Sequence, residues 1–247
     1  YEPSLLRVAQ ELALCHLGRL LEAEQLAHEG YAVAVGEGDG AGWAFHCLAL
    51  GRVCLDRGKV VDSLRWWREG AALFEAVNHP GPQRWALIGQ VFAHALAGDA
   101  PSARKVIDEI SSVREHPAAL NDPDLERATA WVEVAEGDPS GAVERLRALA
   151  EADRSAGHPV HELEVLHDLA RLGRVAEVRE RVHELADAVD GPLASARADH
   201  VDALARRYRH LVERTQEAER DAGGDGALAE AVARQYARLL AVKDEYE

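Results

Sequence analysis

The stretch LDRGKVVDSLR at residues 55–65 ends one helical pattern of apolar residues and begins another. Gly58 stands at the change, and it suits the left-handed conformation that terminates a helix, where a Cβ would be strained. Four other stretches repeat this arrangement around Gly18, Gly98, Gly137 and Gly173. The intervals between successive glycines are 40, 40, 39 and 36 residues. A nearly constant period of this length is typical of a solenoid of helix pairs.

Positions at a fixed distance after each glycine also share their chemistry. The residues five positions later are small in four of five cases: Ala23, Ser63, Ala103, Ala142 and Val178. The residues nine positions later are all apolar: Ala27, Trp67, Ile107, Leu146 and Val182. Small residues suit close contact between paired helices, and the apolar series suits a repeated core layer. Trp66 lies about 100° around the helix from Trp67, so we expect Trp66 to be partly exposed.

The apolar residues between the glycines follow a helical period, and no run of alternating β-branched residues predicts a strand. The predicted first helices of the pairs span 4–17, 41–57, 82–97, 123–136 and 159–172. The predicted second helices span 20–35, 59–77, 101–114, 139–155 and 175–189. The expected fold is therefore all-α, a right-handed superhelical solenoid of helix pairs similar to tetratricopeptide repeats. It comprises about five to six repeats and additional C-terminal helices.

Composition excludes several classes of protein. The 247 residues carry a net charge of −15, with 43 acidic and 28 basic side chains, and this argues against direct contact with nucleic acid. No window is apolar enough to predict a membrane span. Three widely spaced cysteines do not form a disulfide framework, and they fit a reducing, cytoplasmic location. The absence of Met predicts a fragment or a processed product.

The stretch HPVHELEVLHDLARLGRVAEV at residues 158–178 raises the possibility of a metal site or an acid/base cluster. His161 and His167 are six residues apart rather than four, so they do not match the spacing of a metalloprotease helix. We therefore predict a polar helix face followed by a turn, with no bound metal. No other motif predicts a catalytic residue or a cofactor, and we expect a non-enzymatic protein.

Two further groups of residues favour structural roles. Cys47 and Cys54 lie seven residues apart on one predicted helix face, which indicates small buried side chains more than metal ligands. The glycine-rich stretch GEGDGAG at residues 36–42 lacks the Lys-Ser/Thr pair of a phosphate-binding loop, and it follows a helix rather than a strand. A flexible linker is the expectation there.

The sequences HELEVLHDLARLGR (161–174) and VHELADAVDGPLASARADHVDALA (182–205) resemble the tetratricopeptide-like region of large ATP-binding LuxR/MalT-type transcription regulators. The resemblance covers about residues 1–205. In that family the region lies between an ATPase module and a helix-turn-helix, and it receives an inducer or a partner. The resemblance implies a sensor region of a bacterial transcription regulator, with transcription regulation and signal sensing as its context.

The remaining residues resemble a different family. The stretches RYRHLVER (207–214), ALAEAVAR (227–234) and KDEYE (243–247) are similar to the C-terminal helical segment of indolepyruvate ferredoxin oxidoreductases. We therefore predict a helical-repeat domain at 1–205 and a C-terminal helical segment at 206–247. The alternative function is a structural fragment of a thiamine-dependent 2-oxoacid ferredoxin oxidoreductase.

The first helices of the pairs conventionally line the concave groove of a solenoid. The candidate groove residues are Trp43, His46, Trp85, Gln90 and Trp131. They predict a site for a protein segment or a small-molecule effector, and the acidic charge favours basic or apolar partners. The alternative is that the three tryptophans fill gaps between repeats. The sequence predicts neither the oligomeric state nor the identity of the effector.

Overall fold

The structure, a computed structural model, describes residues 3–113 and 122–232. All regular secondary structure in these two ranges is helical. The helices are α1 Pro3–His16, α2 Leu20–Glu37, α3 Gly40–Asp56, α4 Val60–Ala76, α5 Pro80–Leu96, α6 Ala100–Ser112, α7 Asp122–Ala135, α8 Pro139–Ala156, α9 Pro159–Leu169, α10 Val175–Ala188 and α11 Pro192–Asp221. The prediction of an all-α fold of helix pairs is confirmed, and each predicted helix is present.

The largest departures from the predicted boundaries lie at two joints. α9 ends three residues early, and a turn at Ala170–Arg174 joins it to α10. The expected linker at residues 36–42 is reduced to Gly38 and Asp39, because α2 and α3 extend into it from both sides. The Asp39 side chain caps α3 by accepting a hydrogen bond from the backbone N–H of Gly42 at 2.9 Å. The expectation of a flexible linker was wrong.

The chain divides into two compact units, residues 1–138 and 139–247. In unit 1, each helix from α1 to α6 packs on the next, and the first helices of successive pairs also pack on one another, α1 on α3, α3 on α5 and α5 on α7. In unit 2, α8 packs on α9, α9 on α10, and α11 on both α10 and α9. α11 runs through Ala205 without a break. The predicted boundary between 1–205 and 206–247 stays a prediction.

The glycines that define the repeat are left-handed, as predicted. All five have positive φ values, between 71° and 88°. The joints between pairs use the same device, with positive φ at Gly38, Asn78, Gly157 and Gly191. From Gly18 to Gly98 a left-handed residue therefore recurs every 20 residues, once at each helix joint. Ordinary L-residues lose roughly 1–2 kcal/mol in this conformation, so the pattern selects glycine or asparagine.

The predicted core positions are buried with one exception. The five residues that stand five positions after the glycines are at most 2% exposed. In the series nine residues after the glycines, Ile107 is half-buried, and the other four residues are buried. α6 turns Val106 and Ile110 toward the core instead, so Ile107 was wrongly assigned to the repeated layer.

Trp67 lies between two helices that both carry glycine at the contact. A Cβ on Gly51 of α3 would come within 2.6 Å of its indole ring, and a Cβ on Gly89 of α5 within 2.3 Å. Real Cβ atoms do not approach so closely, so any larger residue would displace the ring. Trp67, the largest side chain of the repeated layer, therefore fits because Gly51 and Gly89 have no side chains.

The expectation that Trp66 is partly exposed was wrong, since only 7% of it is accessible. The ring edges of His28 and Tyr31 contact it, with centroids 5.8 Å and 5.3 Å away. The guanidinium of Arg65 lies 4.3 Å from its centroid. A residue 100° from the core layer is buried here because α2 supplies a second aromatic surface.

The same substitution is expected to have opposite effects at two helical glycines of unit 1. Gly89→Ala should lower the free energy of unfolding by ~2–3 kcal/mol, because the methyl group collides with Trp67. Gly36→Ala should raise it by ~0.5 kcal/mol, because nothing lies within 4 Å of the added Cβ and alanine favours the helix. Urea unfolding followed by ellipticity measures both variants. Equal effects at the two sites would show that Trp67 does not occupy the space beside Gly89.

Candidate functional site

The five predicted groove residues do not form one surface. Trp43 on α3 and Trp85 on α5 are half-buried. His46, Gln90 and Trp131 are buried, with 1%, 7% and 3% of each residue exposed. A role of any of the five in binding stays a prediction, but only the first two present substantial surface to a ligand.

His46 and Gln90 make contacts that hold helices together. His46 Nδ1 lies 3.0 Å from a carboxylate oxygen of Glu11 on α1, and both side chains are fully buried. Burial raises the pKa of the Glu11 carboxyl, and the hydrogen bond to His46 opposes that shift. The His46 imidazole occupies the space above Gly30 of α2. The Gln90 side-chain amide, on α5, donates a hydrogen bond to the Trp67 carbonyl oxygen, on α4, at 3.4 Å.

Trp43 contributes to a polar contact that joins three helices. The Glu69 Oε1 atom, on α4, accepts a hydrogen bond from the Trp43 indole N–H at 2.9 Å and another from the Tyr31 hydroxyl, on α2, at 2.8 Å. Glu69 is half-buried. Within the described part of the chain, neither a cation nor a further donor contacts its second oxygen. The carboxylate is therefore fixed in orientation while half of its acceptor capacity remains open.

Aromatic rings surround this carboxylate. The Tyr31 ring meets Trp43 and Trp66 edge-on, with centroids 5.8 Å and 5.3 Å away. Arg65, one helical turn before Glu69, stacks its guanidinium on Trp66. We call Tyr31, Trp43, Arg65, Trp66 and Glu69 the Glu69 cluster. It combines a fixed anion with aromatic surface, the chemistry that binds ammonium and guanidinium groups.

Sequence reasoning included only Trp43 of the Glu69 cluster among its candidates. Arg65 and Glu69 are four residues apart, so their common helix face could have been predicted. The contacts of Glu69 with Tyr31 and Trp43 span 38 and 26 residues, and no local pattern indicates them. Only the packing of α2 and α3 against α4 brings these groups together.

The acidic residues of the histidine-rich stretch form a buried ionic layer, so the predicted polar face of α9 is enclosed by neighbouring helices. Glu162, Glu164 and Asp168 of α9 are at most 3% exposed. Each is paired with an arginine: Arg181 to Glu162 through two bonds of 2.8 Å, Arg197 to Glu164 at 2.9 Å, and Arg171 to Asp168 at 3.4 Å. Burial is possible because each carboxylate has a cationic partner.

The histidines of this stretch contact neighbouring helices. His161 Nδ1 lies 2.6 Å from an Asp153 oxygen on α8, and His167 Nε2 lies 2.8 Å from His200 Nδ1 on α11. Desolvation lowers the pKa of His167 to about 3, which favours a neutral imidazole at that contact. Residues 3–113 and 122–232 contain no group of three or more potential metal ligands with suitable geometry. The stretch joins α9 to its neighbours.

The three cysteines are buried and free, which agrees with their prediction as core residues. Burial raises the pKa of Cys15 to about 12, and it also raises the pKa values of Cys47 and Cys54. A thiol that resists ionisation is a poor nucleophile and a poor metal ligand. The cysteines therefore serve as small packing residues.

Two arginine–glutamate pairs of unit 2 permit a matched test of the ionic layer. Arg181 and Arg147 each make two hydrogen bonds to a glutamate, and Arg181 also bonds the exposed Glu184. The side chain of the partner Glu162 is 4% exposed, whereas that of Glu177 is 41% exposed. Arg181→Met should lower the free energy of unfolding by ~3 kcal/mol, because a buried carboxylate loses its cation. Arg147→Met should cost under ~1 kcal/mol. Urea unfolding measures both variants. It is followed by ellipticity, because all five tryptophans lie in unit 1 and do not report on unit 2. Similar losses would mean that the α9 carboxylates are not an essential buried layer.

Comparison with known proteins gives one partial match. A family of unknown function, DUF6537, matches residues 192–247, under a quarter of the chain. The match begins at the first residue of α11 and includes Glu219, whose carboxylate accepts hydrogen bonds from the backbone N–H groups of Gly226, Leu228 and Ala229. These bonds lower the pKa of Glu219. No curated protein matches the chain. In the described ranges, no helix has the length and apolar character required to cross a bilayer.

Proposed function

We propose that this chain is a non-enzymatic helical-repeat region that binds a protein segment or a small effector for a bacterial transcription regulator. The observation that carries the proposal is the Glu69 cluster. Its carboxylate is held by two donors and keeps one oxygen open, and Trp43 and Tyr31 beside it are half-buried. Rigid aromatic side chains of this kind supply contact area at a low cost in conformational entropy.

The other polar groups support binding more than chemistry. In unit 2 the three buried carboxylates of α9 are paired with arginines, the arrangement of structural ion pairs. In unit 1 the thiols are protonated and enclosed. Acyl or phosphoryl transfer requires a nucleophile next to a general base. These groups do not suggest such a pair.

The regulator context rests on the resemblance of residues 161–205, and it remains part of the proposal. The alternative, a structural fragment of a 2-oxoacid ferredoxin oxidoreductase, rests on residues 206–247. The gene that encodes the chain distinguishes the two contexts. Flanking nucleotide-binding and helix-turn-helix sequences would support the regulator, and flanking cysteine-rich ferredoxin motifs would support the oxidoreductase.

The binding role is tested by selecting peptides from a random display library on the immobilised chain and titrating them by calorimetry. Trp43→Ala should weaken the selected peptides by about tenfold or more, which corresponds to the loss of an aromatic anchor. His161→Ala should change affinity by less than about twofold, because His161 lies in unit 2 and is not part of the Glu69 cluster. Trp85→Ala reports whether the predicted groove extends to α5.

Two results would contradict the proposed function. One is that the library yields no peptide that binds the folded chain more tightly than it binds the urea-unfolded chain. The other is a set of peptides whose affinity depends on His161 and not on Trp43, which would place the binding surface in the ionic layer of unit 2.

A further inference from the structure

We infer that the Glu69 cluster recognises a cationic side chain, the ammonium of lysine or the guanidinium of arginine, on a peptide partner. The inference rests on the proposed function and specifies the chemistry of the ligand. It is carried by two observations, the open oxygen of Glu69 and the guanidinium that already stacks on Trp66.

The electrostatic state of Glu69 differs from that of comparable glutamates in the molecule. Glu24, Glu136, Glu162 and Glu177 each pair with an arginine. Glu69 receives only two neutral donors, both on the same oxygen, and in the described residues no lysine, arginine or histidine nitrogen pairs with it. A half-buried carboxylate without a cation attracts one more strongly than a carboxylate in bulk water, because the local dielectric constant is lower. The open oxygen is thus a binding point for a positive charge.

The aromatic surface beside this oxygen already binds a cation of the same chain. The Arg65 guanidinium lies 4.3 Å from the Trp66 centroid, within the range of a cation–π contact. Arg65 is exposed, and it lies one turn from Glu69 without forming an ion pair with it. The cluster therefore has two subsites, an aromatic face occupied by Arg65 and a carboxylate oxygen that is open. An incoming cation binds to the open Glu69 oxygen. The positive charge of Arg65 repels this cation and weakens its binding.

The net charge of −15 attracts any cation and cannot by itself distinguish a site. A test must compare Glu69 with an acidic residue of equal charge outside the cluster. Glu75, also on α4, is exposed and serves as the matched control. Glu69→Gln removes the charge but keeps an acceptor oxygen for Tyr31 and Trp43, so the variant preserves the local packing.

The Trp43 indole N–H is a reporter inside the site, because it donates to Glu69. We would titrate ¹⁵N-labelled protein with Nα-acetyl-arginine amide, Nα-acetyl-lysine amide and the neutral Nα-acetyl-norleucine amide, into the millimolar range. The Trp43→Phe variant identifies the resonance among the five tryptophans. Both cations should shift this resonance along a saturating curve that weakens with added salt, and norleucine amide should not.

The variants should move the affinity in opposite directions. Glu69→Gln should weaken binding of both cations about tenfold, as expected for loss of a charge-assisted hydrogen bond. Glu75→Gln should change it by less than about twofold, the size of a screened surface effect. Arg65→Gln should tighten binding, because it removes the competing charge.

Three results would overturn the cation assignment. They are equal shifts with norleucine amide, equal losses of affinity in Glu69→Gln and Glu75→Gln, and no shift of Trp43 with either cation. Each would leave the proposed function standing if library peptides still depended on Trp43. Conversely, a cation-specific shift without any Trp43-dependent peptide would retain the site chemistry and reject the peptide partner.

Discussion

Each helix joint in the described part of unit 1 needs one residue in the left-handed conformation, and the rest of the fold depends on where that residue stands. Its recurrence every 20 residues from Gly18 to Gly98 limits the helices between these joints to 17 or 18 residues. Because the spacing is constant from Gly18 to Gly98, the residues five positions after the repeat glycines of this range, Ala23, Ser63 and Ala103, are all buried, and all are small. The glycines of the helix interiors follow from the same constraint, since Gly51 and Gly89 make room for the ring of Trp67.

The regular register also explains how a polar cluster forms among helices that share no local motif. α2, α3 and α4 each contribute one group, the Tyr31 hydroxyl, the Trp43 indole and the Glu69 carboxylate, and the two hydrogen bonds of 2.8 and 2.9 Å require their faces to be aligned. In unit 2 the same principle brings arginines of α10 and α11 to the carboxylates of α9. The difference lies in charge balance. The α9 carboxylates have arginine partners, whereas the donors to Glu69 in the described residues are both neutral.

The sequence predicted what is encoded locally. The spacing of the glycines predicted the positions of the helix joints, because the left-handed conformation favours glycine at the position where it occurs. Periodicity identified the core side of each helix, but it failed where a second element covered the other side: Trp66 is enclosed by His28 and Tyr31 of α2. It also failed for the acidic residues of α9, since polarity alone does not reveal an arginine 19 or 33 residues away. The candidate site was found only through Trp43, because contacts across three helices leave no periodic signal.

The central claim is that the joints require the left-handed conformation and not merely flexible or polar residues. Asn78 tests it most directly, because it is the non-glycine residue with positive φ in the described ranges, at 55°, and its side chain is exposed. The measurement is the free energy of unfolding of Asn78→Gly and Asn78→Ala in urea, followed by tryptophan fluorescence of unit 1. The account predicts that the glycine variant is more stable than the alanine variant by ~1 kcal/mol, with the asparagine protein between them. An alanine variant as stable as the glycine variant, or more stable, would contradict it.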